Sequence, residues 1–437
     1  MRSVFGLRRV VFLTCASSML AVVVTASAAP PQPFSFGRAK LYDAKGVSSL
    51  ALGDVNGDGR PDVATASYSG SAVTVLLNKG DGTFSAGRHY PTGLSPYSLA
   101  LGDLNGDGNA DLVTANLWDD TVSVLLAAAD GTLQPTHDYE TGFGPMGVAI
   151  GDLDGDGKPD LAVADDQSDA VSVLRNAGAG SFEARQDYAT GSGPDAVAIA
   201  DVNADGKADL FTANGADATV SVLLNRGDGS YERSRDYQSV GGFPSLATGD
   251  VNGDHRPDLA VANSDSRLTV FLSRADGTFG PRREYGISAR SAAIGDVNGD
   301  GSADVVADGG YVGLSVLLNR GGGRLVKSLE YPEWGSVALG DLNEDGKPDL
   351  AAAEVDPAGV SIRLNTPGLC NVQQTTYLSL AAAKRALARG HCRVGKVKRV
   401  FMTYVRKGLV ISQKPGFGEV LPKGGKVRLV ISNGTRK

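Results

Sequence analysis

Asp54-Val55-Asn56-Gly57-Asp58-Gly59-Arg60-Pro61-Asp62 is the stretch from which the rest of the chain can be read, because it recurs six more times, starting at Asp103, Asp152, Asp201, Asp250, Asp296 and Asp341. The successive offsets are 49, 49, 49, 49, 46 and 45 residues. A period that long, held over seven copies, predicts a stacked or circular array of one supersecondary unit.

Each copy places oxygen side chains at positions 1, 3, 5 and 9 and leaves a main-chain carbonyl free at position 7. That alternation wraps a hard dication, since Ca²⁺ takes roughly 6–8 oxygens at about 2.3–2.6 Å. The expected ligand sets, with position 7 acting through its carbonyl, begin with Asp54, Asn56, Asp58, Arg60 and Asp62, and Asp103, Asn105, Asp107, Asn109 and Asp111. They continue with Asp152, Asp154, Asp156, Lys158 and Asp160, and Asp201, Asn203, Asp205, Lys207 and Asp209. The last three are Asp250, Asn252, Asp254, Arg256 and Asp258; Asp296, Asn298, Asp300, Ser302 and Asp304; and Asp341, Asn343, Asp345, Lys347 and Asp349. Up to seven calcium ions are therefore expected.

A plain Asx/Gly turn needs one or two short polar residues, whereas each copy converges three acids and the third copy four. Position 6 is glycine in six copies, as a turn with positive φ asks, and His255 in the fifth. An EF-hand is excluded because position 12, where a bidentate Glu is needed, reads Thr65, Thr114, Val163, Thr212, Val261, Ala307 and Ala352. Apolar residues at positions 2 and 10, such as Val55 and Val63, instead tie each loop into strands.

Around each loop the pattern gives four short strands, such as 98–102, 111–115 and 121–126 followed by a fourth that ends on a recurring tyrosine: Tyr42, Tyr90, Tyr139, Tyr188, Tyr237, Tyr285 and Tyr331. Four strands per repeat with no helical period predict a propeller blade, and the tyrosines are read as packing posts. The last repeat stops after its third strand at 360–365, while the chain opens with an orphan fourth strand at 34–42. Pairing the two completes seven blades and removes exposed sheet edges. The expected fold class is thus all-β, a seven-bladed β-propeller of four-stranded blades closed by its N-terminal strand, over residues 29–366.

Residues 1–28 read as a secretory signal: Arg2, Arg8 and Arg9 precede an apolar run from Val10 to Val24 and the small-residue site Ala26-Ser27-Ala28. Cleavage leaves Cys370 and Cys392 as an even pair in an exported chain, and hence an expected disulfide. The net charge is −7, of which residues 1–28 contribute +3 and residues 370–437 contribute +14, so that 29–369 carry −24. Seven Ca²⁺ ions would return +14 of that. Such a split argues for two domains with different partners.

The repeats resemble the FG-GAP/VCBS type found in integrin α-subunit propellers and some fungal propeller lectins. The likeness covers 34–366 and rests on the acidic loops, with Phe36-Gly37 and Phe279-Gly280 retained and the "GAP" end replaced by Thr-Ala-Asn or Val-Ala-Asp. It implies extracellular recognition or adhesion. Residues 370–437, with a helical stretch at 380–389, strands near 395–401, 409–413 and 426–432, and the run Gln413-Lys414-Pro415-Gly416, resemble a PASTA domain, a small α+β module. That likeness implies a bacterial envelope setting and cell-wall binding.

No catalytic constellation is evident: His89, His137, His255 and His391 fall in unrelated registers and the aspartates are committed to metal. Strand order puts the loops joining strands two to three and four to one on the face away from the metal, with Tyr68, Trp118, Asp120, Asp166, Tyr311 and Trp334 as candidate ligand residues. Aromatic rings beside carboxylates suit sugars, whose apolar faces stack while hydroxyls seek acceptors. The expectation is a secreted or wall-associated, monomeric, calcium-binding recognition module for glycans or cell-wall polymers, with no nucleic-acid partner and no membrane span after signal cleavage. The alternative is a polysaccharide lyase or hydrolase using that same face.

Overall fold

The computed structural model describes residues 34–435 other than 45, 240–244, 264–266, 356–357 and 403; the side chains of Tyr311 and Val355 also fall outside it. The export signal expected over 1–28 lies outside the described residues.

Seven four-stranded antiparallel sheets follow one another along the chain. Blade 1 is formed by Val47–Gly53, Asp62–Ser67, Ala72–Leu76 and Arg88–Pro91, innermost to outermost. The inner three strands of each blade are buried on both faces and so read as runs of Val, Leu, Ile and Ala, whereas the outermost carries polar residues outward. Small residues let the blades approach face to face. A Cβ added to Gly102 would lie 3.0 Å from Ile150 of the next blade, one on Gly295 3.2 Å from Leu339, and one on Gly340 2.8 Å from Leu52 of blade 1. The last contact shows that the array is a ring.

Blade 7 is composite. Its strands Val337–Gly340, Asp349–Val355 and Ala358–Arg363 take Lys40–Asp43 as their outer partner, with Lys40 opposite Ile362 and Tyr42 opposite Val360. The closure expected from the unmatched ends is thus present, although the strand expected over 34–42 is divided. Its first part is held by the Phe36–Asn365 bridge and by Gly37 N–H donating to Leu364 O at 2.7 Å. The strand-four tyrosines are posts between blades. Tyr42 meets Phe84, Tyr139 meets Phe182, Tyr188 meets Tyr231 and Tyr237 meets Phe279, with ring centroids 5.1–5.4 Å apart and edge-on. Tyr331 completes the set on Phe36 at 5.5 Å, its hydroxyl accepting the Phe36 N–H at 2.9 Å.

A buried ion pair sits at this seam and was not foreseen. Arg363 and Glu333 are 3% and 5% exposed, with Nη2–Oε1 at 2.5 Å; Arg363 also donates to Gly37 O and stacks 5.1 Å over the Tyr331 ring. One guanidinium therefore joins the N-terminal segment, the end of blade 6 and the third strand of blade 7.

The C-terminal unit has the expected helix, Leu380–Arg389, capped by Ser379 Oγ accepting the Ala382 N–H. A three-stranded sheet orders Arg393–Val400, Lys426–Ser432 and Val410–Lys414, and Cys370 is bonded to Cys392. It docks on the outer edge of blade 6: the Gln373 side-chain amide accepts from Glu330 N–H at 2.9 Å and donates to Glu330 O at 3.2 Å, standing in for a further strand. Replacing both cysteines by alanine, which frees a link of sequence separation 22, is expected to cost this domain about 3 kcal/mol. Urea unfolding of the double variant beside wild type checks it.

Candidate functional site

The acidic loops share one geometry. Positions 4 and 6 both adopt left-handed backbone, with φ 79° and 89° at Gly106 and Gly108; Ala204 (59°), Glu344 (61°) and His255 (66°) conform despite their Cβ. Sequence reading singled out position 6 only. The two left-handed residues turn main-chain N–H groups inward onto the first carboxylate: Gly106 and Asp107 donate to Asp103 Oδ1 at 2.7 and 3.1 Å, and Gly108 to Oδ2 at 2.9 Å. His255 N–H donates likewise to Asp250 Oδ2 at 2.8 Å, so the fifth loop keeps its shape.

Position 9 has a task beyond the ligand role expected of it. Asp62, Asp111, Asp160, Asp209, Asp258, Asp304 and Asp349 are all at most 1% exposed. In blade 1 Asp62 Oδ2 accepts from Val55 N–H at 3.0 Å and Oδ1 from Asn78 N–H at 2.7 Å, and every other blade repeats the pattern. The carboxylate therefore clips the loop start to the end of the third strand. Burial raises these acids, opposed by the N–H donors and assisted by other acids of the same loop (Asp154 and Asp152 for Asp160, Asp254 for Asp258, positions 5 and 1 elsewhere): Asp304 to about 8, Asp62 and Asp349 to about 7, and Asp111, Asp160, Asp209 and Asp258 to about 6.

The donor set suits a hard cation. In the third loop Asp152, Asp154 and Asp156 bring oxygens within 4.8 Å of one another, the one such triad among the described residues. At position 7 the side chain folds back on the acid two residues earlier, with Arg256–Asp254 at 2.5 Å, Lys347–Asp345 at 2.9 Å, Arg60–Asp58 at 3.5 Å and Lys207–Asp205 at 3.7 Å. Lys158 does the same on Asp156, and Asn109 donates to Asp107 at 2.9 Å. The position-5 acids thus attract positive charge.

The loops are also linked around the ring. Asparagine at the end of the third strand donates to the position-2 carbonyl of the preceding blade's loop: Asn78 to Leu342, Asn176 to Leu104, Asn225 to Leu153, Asn319 to Val251 and Asn365 to Val297. Blades 2 and 5 carry Ala127 and Ser273 at this position.

On the opposite face the candidates separate. Trp118, 61% exposed, donates its Nε1–H to the Tyr68 hydroxyl at 2.9 Å, and Tyr68 meets Tyr97 edge-on at 6.3 Å. Asp166 opens a short 3₁₀ turn in blade 3 and lies against the connection into blade 4, its Oδ1 3.1 Å from where a Cβ on Gly193 would stand. Asp120 is engaged otherwise: at φ 53° it accepts the Gly144 N–H at 2.9 Å, fixing one loop to the next. Trp334 is half-buried in the connection from blade 6 to blade 7, and the Tyr311 side chain is outside the described residues.

Two residues that sequence reading missed complete the group. In blades 1 to 4 the inner strand carries a bulge at its second residue, Ser48, Tyr97, Met146 and Asp195, where the register with the second strand shifts. Inner strands line the central channel, and a bulge re-aims its side chain. The signal in the sequence was the residue after each strand-opening proline, Pro96, Pro145 and Pro194. Burial raises the Tyr97 phenol, and the charges of Asp195, Tyr68 and Asp166 raise it further. Burial lifts Asp195 to about 7, with Asp166 contributing.

Comparison with known proteins follows from this geometry. Six overlapping matches to the FG-GAP-like repeat cover residues 54–114, 106–163, 152–212, 201–261, 250–307 and 296–352, which together take in all seven acidic loops. Residues 374–433 match the PASTA domain. No curated protein matches the chain. Among solved structures, the BP39L lectin from Burkholderia pseudomallei superposes with TM-score 0.57 at 16% identity, over 76% of this chain and 97% of that one. Kuenenia stuttgartiensis hydrazine synthase gives 0.51 at 16% identity, over 78% and 98%. A putative 6-phosphogluconolactonase from Bacteroides fragilis gives 0.50 at 19%, over 72% and 93%. Proteins named for such different tasks share the architecture alone. On the repeat matches spanning most of its length, the chain belongs to the FG-GAP-like repeat family, as a seven-bladed β-propeller followed by a PASTA domain.

Proposed function

We propose that this protein is a secreted, calcium-stabilised recognition module that binds carbohydrate of the cell envelope through the face opposite its acidic loops. The observation that carries the reading is Trp118, a large ring left 61% exposed yet fixed in place by the Tyr68 hydroxyl. An oriented aromatic plane beside carboxylates gives a pyranose a surface to stack on and acceptors for its hydroxyls. Leu94 and Phe143, in the connections entering blades 2 and 3, are exposed by 54% and 65% and extend the apolar surface beside it. The seven acidic loops support calcium by donor type and spacing. The PASTA domain, with its excess of lysine and arginine, supports a location at the cell wall, where it would meet anionic polymers. No helix among the described residues is long and apolar enough to cross a membrane.

Trp118→Ala is expected to weaken retention on a bound polysaccharide by about tenfold, the order of one lost stacking contact, with the melting temperature unchanged because the ring is on the surface. Affinity electrophoresis against a panel of wall and capsular polysaccharides reads the effect. Equal retention of the variant, or release of unsaturated or reducing ends by the wild type, overturns the binding reading.

A further inference from the structure

Asp195 is 7% exposed and makes no hydrogen bond or ion pair with any described residue, although it lies at the mouth of the channel in a propeller whose residues 29–369 carry −24. A carboxylate so largely withdrawn from solvent is costly to keep ionised unless a partner meets the part that remains open. Every other deeply buried acid in the ring has a partner: the ninth-position aspartates take main-chain N–H groups, Asp165 takes Ser172 Oγ–H, Asp308 takes Gly310 N–H, Glu354 takes Ser361 Oγ–H at 2.6 Å and Glu333 takes Arg363. Asp195 stands apart from this pattern.

Asp195 sits at the bulge of the innermost strand of blade 4, at the position Tyr97 takes in blade 2. Asp166 approaches from blade 3 over Gly193, and Tyr68 and Trp118 continue the aromatic wall outward from Tyr97. Two carboxylates that no described cation pairs with, Asp195 and Asp166, thus accompany three aromatic rings, and neither Asp195 oxygen is sealed away from a solvent or ligand partner. A neutral sugar needs acceptors and a stacking plane but gives no reason for the second charge or for its burial. A positively charged ammonium group accounts for both, through ion pairing with the carboxylates and attraction to the ring faces.

We propose that the channel mouth binds a sugar bearing a free, protonated amine, with Asp195 and Asp166 receiving the ammonium and Tyr97, Tyr68 and Trp118 receiving the ring. This rests on the carbohydrate reading above and narrows it to de-N-acetylated, cationic glycans. Asp195 is then a binding residue held in an unfavourable free state for the sake of its ligand.

The test titrates the full-length protein, in calcium at pH 7, with a glucosamine tetramer and with its fully N-acetylated counterpart, following Trp fluorescence and heat. The free-amine tetramer is expected to bind at least tenfold tighter. Asp195→Asn should remove that preference, leave the N-acetylated tetramer within about twofold of wild type, and melt no lower than wild type, since no described residue bonds its carboxylate. Asp166→Asn, in a surface turn, should reduce the preference by several-fold and serves if the first variant folds poorly. Equal binding of the two tetramers by wild type overturns the ammonium site while leaving carbohydrate recognition standing. A preference that survives both substitutions assigns it to bulk negative charge and overturns the site as well. Binding of neither tetramer, together with loss of all polysaccharide retention, removes the carbohydrate reading and the proposal with it.

Discussion

Excess EGTA is expected to lower the melting temperature of the propeller by on the order of 20 °C at pH 7. A site that binds only the native state at ten times its dissociation constant contributes about 1.4 kcal/mol, so seven such sites approach about 10 kcal/mol. A domain of this size shifts by roughly 2 °C or more per kcal/mol. With dissociation constants of about 10⁻⁴–10⁻³ M, as in extracellular modules, millimolar calcium is the relevant range. The pH dependence sharpens the test. Burial holds the ninth-position aspartates at about 6 to 8 in the folded chain, above the ordinary 3.8 of an aspartate. Between those limits the native state holds protons that the unfolded chain has released, so stability in chelator falls as pH rises from about 4 through 8. Calcium requires the ionised acids, and its contribution grows over the same interval. Melting curves at pH 5 and 8, with calcium and with EGTA, should therefore show a gap that widens with pH. Identical curves, with no calcium found by metal analysis, remove the ion from the account.

Arg363→Ala is expected to cost about 3–5 kcal/mol, because it leaves Glu333 charged and buried without its partner. Combining Arg363→Met with Glu333→Leu should recover most of the loss, since an apolar pair of similar volume often replaces a buried ion pair at little cost. Removing residues up to 43 goes further: blade 7 then lacks Lys40–Asp43, and the edge of Ala358–Arg363 is left unpaired. Urea unfolding of the variants and light scattering of the truncation provide the check. A soluble truncation as stable as the parent shows that the N-terminal strand closes nothing.

What the sequence made legible were features that repeat. The nine-residue loops, the four-strand pattern, the tyrosine posts and the mismatched ends all announce themselves seven times or by their absence from one end, and the fold follows. The Arg363–Glu333 pair occurs once, between segments brought together only by closure, so no periodicity reveals it. Asp62 and its equivalents read as ligands because their spacing fits a cation, while one of the two main-chain donors that clip Asp62 comes from Asn78, sixteen residues away beyond the third strand. The channel mouth divides in the same way: Tyr68, Trp118 and Asp166 could be named from strand order. Tyr97 and Asp195 could not, because a register slip of one residue, invisible to an alternating pattern, decides which way they point.

The asparagine links between loops carry one more consequence. Five of the seven junctions have one, and the two that lack it fall between blades 1 and 2 and between blades 4 and 5. The asparagines thus stitch two arcs, one of three blades and one of four, and other hydrogen bonds join them: Ala110 N–H donates to Asp54 O at 2.7 Å between the first two loops, and Arg282 donates to Ser239 O at 2.8 Å between blades 5 and 4. A pull on the docked C-terminal domain is borne first by the four-blade arc, which contains blades 6, 7 and 1 and therefore the chain's own clasp.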